Sequence, residues 1–170
     1  MGLAERTGFG PSPGFHAPSE GVESQLDVST LTSGTSGGTS WGQRLTISNR
    51  TVTKLSFYLK RDGSPGGTVT FLIRKVSDDS IMATKLWGNA IDISTTATWY
   101  EITFDTPVFI NEEVRLLVSA NLGSAGNLIN VYSSHPNDVK AGEYIVNRND
   151  AGVYTAPYGG VDFGYIYTYT

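Results

Sequence analysis

Apolar and polar residues alternate along this chain with a period of two, in short runs cut by Gly, Pro, Asn and Asp. In residues 53–60, Leu55, Phe57 and Leu59 fall on one parity, and Ser56, Tyr58 and Lys60 on the other. In residues 68–76, Val69, Phe71 and Ile73 alternate with Thr70 and Arg74. Successive side chains of a strand point to opposite faces, so this pattern specifies half-buried strands. Between these runs lies Asp62-Gly63-Ser64-Pro65-Gly66-Gly67, a turn by composition, so the two strands are expected to form a hairpin.

The same reading extends along the chain. A first strand is expected over residues 25–31, marked by Leu26, Val28 and Leu31, followed by a flexible Gly/Ser/Thr loop over residues 33–40. That loop lacks the Gly-Lys-Ser/Thr ending of a phosphate-binding loop. Residues 43–47 alternate and stop at Ser48-Asn49-Arg50. Residues 81–86 follow, then an ambiguous stretch, 87–96, with room for a short helical turn. Residues 98–104 place Tyr100, Ile102 and Phe104 on one side; 108–110 are extended; Asn111-Glu112-Glu113 reads as a turn. Residues 114–120, 128–132, 143–146 and 161–169 complete the set. About nine or ten short strands at this spacing indicate an all-β antiparallel sandwich, with no amphipathic helix.

Composition narrows the function classes. Charged residues make up 16% of the 170, against roughly 25% in an average soluble domain, which suits turn-rich β-structure. The formal net charge of −4, with no Lys/Arg cluster in the sequence, argues against general nucleic-acid binding. No apolar run is long enough for a membrane helix. The absence of cysteine removes disulfides, thiolate metal sites and cysteine nucleophiles. Met1 to Arg6 are not followed by the apolar run of a secretory signal. The expectation is a protein that works outside cells without ordinary secretion, or a piece of a larger secreted chain.

Residues 1–23 read as an extended N-terminal arm. Pro11, Pro13 and Pro18, with Gly8, Gly10, Gly14 and Gly21, disfavour helix and central strand. Leu3, Phe9 and Phe15 are its apolar anchors, and an arm of this kind orders by burying them on a neighbouring subunit. Residues 24–170 form the folded domain.

No catalytic constellation emerges, and the expectation is a non-enzyme. The histidines are His16, in the arm, and His135, in a loop with Ser133, Ser134 and Asp138 nearby, where an exposed loop histidine is the ordinary reading. Glu112 and Glu113 are read as solvated turn charges, Glu101 as outward-facing, and Asp78-Asp79 and Asn149-Asp150 as turn pairs. No cofactor is expected. Asp27, Glu143, Asp150 and Asp162 are candidates by type for a structural calcium, without the spacing of a known loop. Trp41 and Trp99 fall near strand starts, where they cap the core, and Trp87, beside Gly88-Asn89, is expected to be the exposed indole available to a glycan. Tyr154, Tyr158, Tyr165, Tyr167 and Tyr169 crowd the C-terminal part, with Tyr154 and Tyr158 the candidates for a partner surface.

Residues 41–47 (Trp-Gly-Gln-Arg-Leu-Thr-Ile), 52–60 and 63–70, with 99–104, Pro107-Val108 and 114–118, resemble a broad group of jelly-roll domains. These domains are similar to carbohydrate-binding modules and occur in bacterial surface proteins and phage virion proteins. The resemblance covers about residues 41–120 and implies a jelly-roll β-sandwich. A small jelly roll with an N-terminal arm resembles the phage capsid decoration (cement) proteins. That resemblance implies a homo-oligomer, often a trimer, on the virion surface, bound to the major capsid protein and to itself. The alternative it carries is a carbohydrate- or receptor-binding module of a tail, fibre or secreted adhesin.

Overall fold

The computed structural model describes residues 19–35, 40–120, 127–134, 140–154 and 160–170. Nine strands appear among them: β1 (Gly21–Gln25), β2 (Thr30–Thr35), β3 (Ser40–Asp62), β4 (Thr68–Lys75), β5 (Ile81–Asn89), β6 (Thr98–Ala120), β7 (Leu128–Ser133), β8 (Tyr144–Arg148) and β9 (Tyr165–Tyr169). A single 3-10 turn, Ala90–Asp92, falls inside the stretch read as ambiguous. All pairings are antiparallel, in the order β1-β9-β3-β6-β4-β5, with β7 and β8 also beside β3 and β2 beside β7.

Two strands of 23 residues organise the sheet. Residues 40–47 of β3 pair with residues 112–119 of β6, and residues 40–44 also with β8 on the other side. Residues 52–59 lie between residues 98–103 and 108 of β6 on one side and β9 and β7 on the other, and residues 60–62 pair with β7. The register shifts between Ile47 and Arg50, where Asn49 takes φ 51°, a backbone that asparagine tolerates better than most residues. A bulge bends its strand and adds twist. The bulge thus divides β3 into two halves without ending it, and Ser48-Asn49-Arg50 is not the strand end that its composition suggests. Asn111-Glu112-Glu113 is likewise strand, not turn, with Glu112 opposite Ile47 and Glu113 opposite Thr46.

β3 and β4 do not form a hairpin. β4 pairs with β5 and with residues 114–120 of β6. The connection 63–67, with Gly63 at φ 71° and Gly67 at φ 78°, carries the chain to the facing layer. Phe57 of β3 and Phe71 of β4 therefore meet ring to ring, 5.4 Å between centroids and near perpendicular. The sheet folds over on itself in a sandwich-like all-β arrangement, and its inner faces make one core. Leu45, Ile47, Leu55, Phe57 and Leu59 meet Val69, Phe71, Ile73, Val114, Leu116 and Val118 there, with Ile129, Val131, Tyr165 and Tyr167. The inward parity read in residues 53–60 and 68–76 holds at every one of these positions.

The N-terminal strands differ from expectation. β1 starts at Gly21 and pairs with β9, and Leu26, expected to be inside a strand, is exposed between β1 and β2. Thr30–Thr35 pairs with β7 through a register shift between Thr32 and Gly34, so the Gly/Ser/Thr segment is partly strand. The available edges of β9 and β7, rather than local apolarity, select which residues become extended.

Candidate functional site

The strongest convergence of polar side chains lies where β1, β3, the segment before β8 and β9 meet. Gln43 has the same parity as Leu45 and Ile47 and is fully buried. A buried amide must be satisfied. Gln43 Nε2 donates to Asp162 Oδ1 at 2.5 Å and to Glu143 Oε2 at 3.3 Å, while its Oε1 accepts from the Phe163 amide at 2.9 Å. Asp162 also accepts from the Lys140 amide at 2.5 Å, and its own amide donates to Ser134 Oγ at 3.0 Å.

Outward from Gln43 the network becomes ionic. The Tyr165 hydroxyl lies 2.9 Å from each Glu143 oxygen. Lys140 Nζ donates to Glu23 Oε1 at 2.7 Å and reaches Tyr165 Oη at 3.4 Å. Arg50 Nη1 donates to Glu23 Oε2 at 3.2 Å and to Tyr167 Oη at 2.6 Å, and its guanidinium covers the Tyr169 ring at 4.1 Å. Burial pushes the Glu143 carboxyl above its ordinary value, with the Tyr165 hydroxyl and Lys140 opposing. The Lys140 hydrogen bond holds Glu23 below its ordinary value, against burial. Burial carries Tyr167 up to about 12, and Tyr165 upward as well.

A cleft of 190 Å³ opens beside this network, lined by Glu23, Leu45, Thr46, Ser48, Arg50, Glu143 and Tyr167. Sites for drug-sized ligands or cofactors usually occupy about 300–1,000 Å³. The charged groups lining this one are already paired with neighbours across the fold. Its evident work is to lock β1 and residues 140–143 onto β3 and β9.

The residues singled out by sequence scatter. Leu3, Phe9, Phe15, His16, His135 and Tyr158 lie outside the described residues. Trp87 is half-buried rather than freely exposed: it packs against the core and stands edge-on to Tyr100 at 5.0 Å. Trp41 packs against the core and Phe163, as expected of a cap. Trp99 instead joins Tyr58 and Tyr132 in a half-buried aromatic row on the outer face, with centroids 5.3 and 5.5 Å apart. Tyr154 donates to Asp79 Oδ1 at 2.6 Å and lies under the Arg115 guanidinium at 3.9 Å. Burial, then the Asp79 bond, carries its hydroxyl up to about 12.

Of the calcium candidates, Glu143 and Asp162 come together on Gln43. Asp27 accepts from the Ser29 amide. Among the described residues no group of three acidic or histidine side chains is placed to hold a metal. Of the acidic residues weighed for catalysis, Glu112 pairs with Lys75 at 3.1 Å, Glu113 with Arg44 at 2.6 Å and Glu101 with Lys54 at 3.6 Å. Glu112 and Glu113 are thus ion-paired strand residues rather than solvated turn charges.

Gln43 was legible as a polar residue on an apolar parity. Its partners, 100 to 120 positions away in sequence, were not. No protein-family model and no curated protein sequence matches this chain. Among the described residues no helix is long and apolar enough to cross a membrane.

Proposed function

We propose that this chain is a non-enzymatic assembly protein: a jelly-roll module that decorates a virion shell and bridges neighbouring subunits. The virion setting rests on architecture: residues 41–120 resemble jelly-roll domains, and a small jelly roll with an N-terminal arm resembles the capsid decoration proteins. The observation that carries the assembly role is the edge strand β5. Among the described residues it ends the sheet path, and Ile81 and Leu86 on it are 52% and 56% exposed. An open edge with exposed apolar side chains is a template for pairing with another chain unless it is blunted. Lys85, which pairs with Asp105 at 2.5 Å, is its one charged residue. Contacts made there and by the N-terminal arm of each copy add through multivalency on a repeating shell.

The test is an edge substitution. Ile81→Lys or Leu86→Lys should weaken binding to purified particles about tenfold or more, since each places a charge in an apolar contact. Thermal stability should be unchanged, because both side chains are already exposed. Binding equal to that of the parent chain rejects the edge as the docking element.

The second reading, a carbohydrate- or receptor-binding module, is favoured by the Tyr58–Trp99–Tyr132 row, since aromatic rings pack on the apolar faces of sugars. The indole to replace in a glycan-binding assay is therefore Trp99, with Trp87→Ala as the comparison.

A further inference from the structure

The outer face of the other half of the sheet carries arginines in line. Arg44 of β3 stands directly opposite Arg115 of β6, and Arg115 directly opposite Arg74 of β4. Like charges in direct cross-strand register destabilise a sheet. Arg148 joins the group from β8. Glu113 neutralises Arg44 through two bonds of 2.6 and 2.7 Å. The other three share Asp79: Arg74 at 3.2 Å, Arg148 at 3.2 Å and Arg115 at 3.5 Å. Among the described ion pairs, four guanidinium groups thus face two carboxylates, an excess of two positive charges on a chain whose net charge is −4. The buried Nε atoms of Arg74 and Arg115 have no hydrogen-bond partner among the described residues.

The group is built rather than incidental. Tyr154 packs on Leu72, Leu117 and Val146 and holds its ring under Arg115. Arg115 also donates to the Lys75 carbonyl at 2.8 Å, and Arg74 to the Asp79 carbonyl at 2.6 Å. These contacts fix the guanidinium planes before any ligand arrives. A fixed guanidinium fork matches a carboxylate, where a lysine would offer only a point charge.

We propose that Arg74, Arg115 and Arg148, around Asp79, form a docking site for the carboxylates of an acidic protein segment. Asp79 shows how a carboxylate sits among these arginines, and the residual charge is what an incoming acidic side chain would neutralise. Three strands present these guanidinium groups side by side over one aromatic support, which suits an extended peptide. The assignment rests on the assembly reading, in which that segment belongs to a neighbouring subunit.

The experiment titrates the full chain into fluorescein-labelled hexaglutamate at low ionic strength and follows anisotropy. Saturable binding is expected, and it should weaken as salt is added. Arg148→Gln and Arg74→Gln should each weaken it about threefold to tenfold, whereas Lys85→Gln, on the β5 edge, should not. Asp79→Asn is the decisive variant. Asparagine tolerates the φ of 60° at this position, and losing the internal carboxylate should tighten hexaglutamate binding. A purely structural role for Asp79 predicts a lower melting temperature and no gain in affinity. Absence of saturable binding, or equal binding by Arg148→Gln, overturns the proposal. Tighter binding of a heparin-derived oligosaccharide than of hexaglutamate overturns its assignment to a protein segment. Particles that still bind the chain when hexaglutamate does not would remove this site and leave the assembly reading standing.

Discussion

At the scale of single residues, the fold is held by a few positions with no freedom. Gly42 of β3 stands opposite Leu117 of β6, and a Cβ there would lie 1.8 Å from the Leu116 carbonyl oxygen. Backbone cannot yield as a side-chain tip can. Gly42→Ala should therefore destabilise the protein by about 3 kcal/mol or more. Gly66→Ala, with nothing within 4 Å of the added carbon, should stay within about 0.5 kcal/mol of the parent. Urea midpoints compare the two directly. Glu143 gives a second test, through pH. Its folded carboxyl titrates above the ordinary 4.5 because it is buried. Stability from its protonated form is present below the unfolded value and is lost as pH rises through the folded one. Glu143→Gln removes that loss, so its melting temperature relative to the parent should climb from pH 4 to neutral and then level off. A difference independent of pH would show that the Glu143 carboxyl titrates alike in the folded and unfolded chain. Glu23, held low by Lys140, has the opposite sign: its contribution is present at neutral pH and lost as acid protonates it.

At the scale of elements, parity was legible and pairing was not. Leu55, Phe57, Leu59, Val69, Phe71 and Ile73 announce their inward face because strand periodicity is a local property. The hairpin expected of β3 and β4 failed because a turn of composition 62–67 reverses the chain either within a layer or between layers. The choice is made by β6, whose residues 114–120 supply the partner edge for β4. Strand ends were misplaced at Ser48–Arg50 and Asn111–Glu113 for a related reason. Each stretch stays in its strand because the other long strand runs on beside it: β6 beside Ser48–Arg50, and β3 beside Asn111–Glu113. Phe57 and Phe71 test the layer assignment. A double-mutant cycle to leucine should show a coupling of about 0.5–1.5 kcal/mol from the edge-on ring pair. Independent effects would place the two rings apart.

At the scale of the molecule, the sheet leaves two kinds of surface: apolar edges, and an outer face with surplus arginines. Neither could be read from the chain alone. Ile81 and Leu86 read as ordinary strand residues until β5 is known to end the sheet path, and Arg44, Arg115 and Arg74 are distant in sequence until register aligns them. The Glu23 contacts also bear on the arm. A chain beginning at Ser19 keeps β1 and its bonds to Lys140 and Arg50 and should melt like the parent while binding particles less well. A chain beginning at Leu26 loses β1, exposes the β9 edge and should melt lower, as circular dichroism would show. Shell decoration, as proposed, is decided by the copy number of this protein on virus particles purified from the source culture. Many copies per particle are expected, comparable with the number of shell subunits. A protein absent from the particles, present only in the soluble fraction, would contradict it.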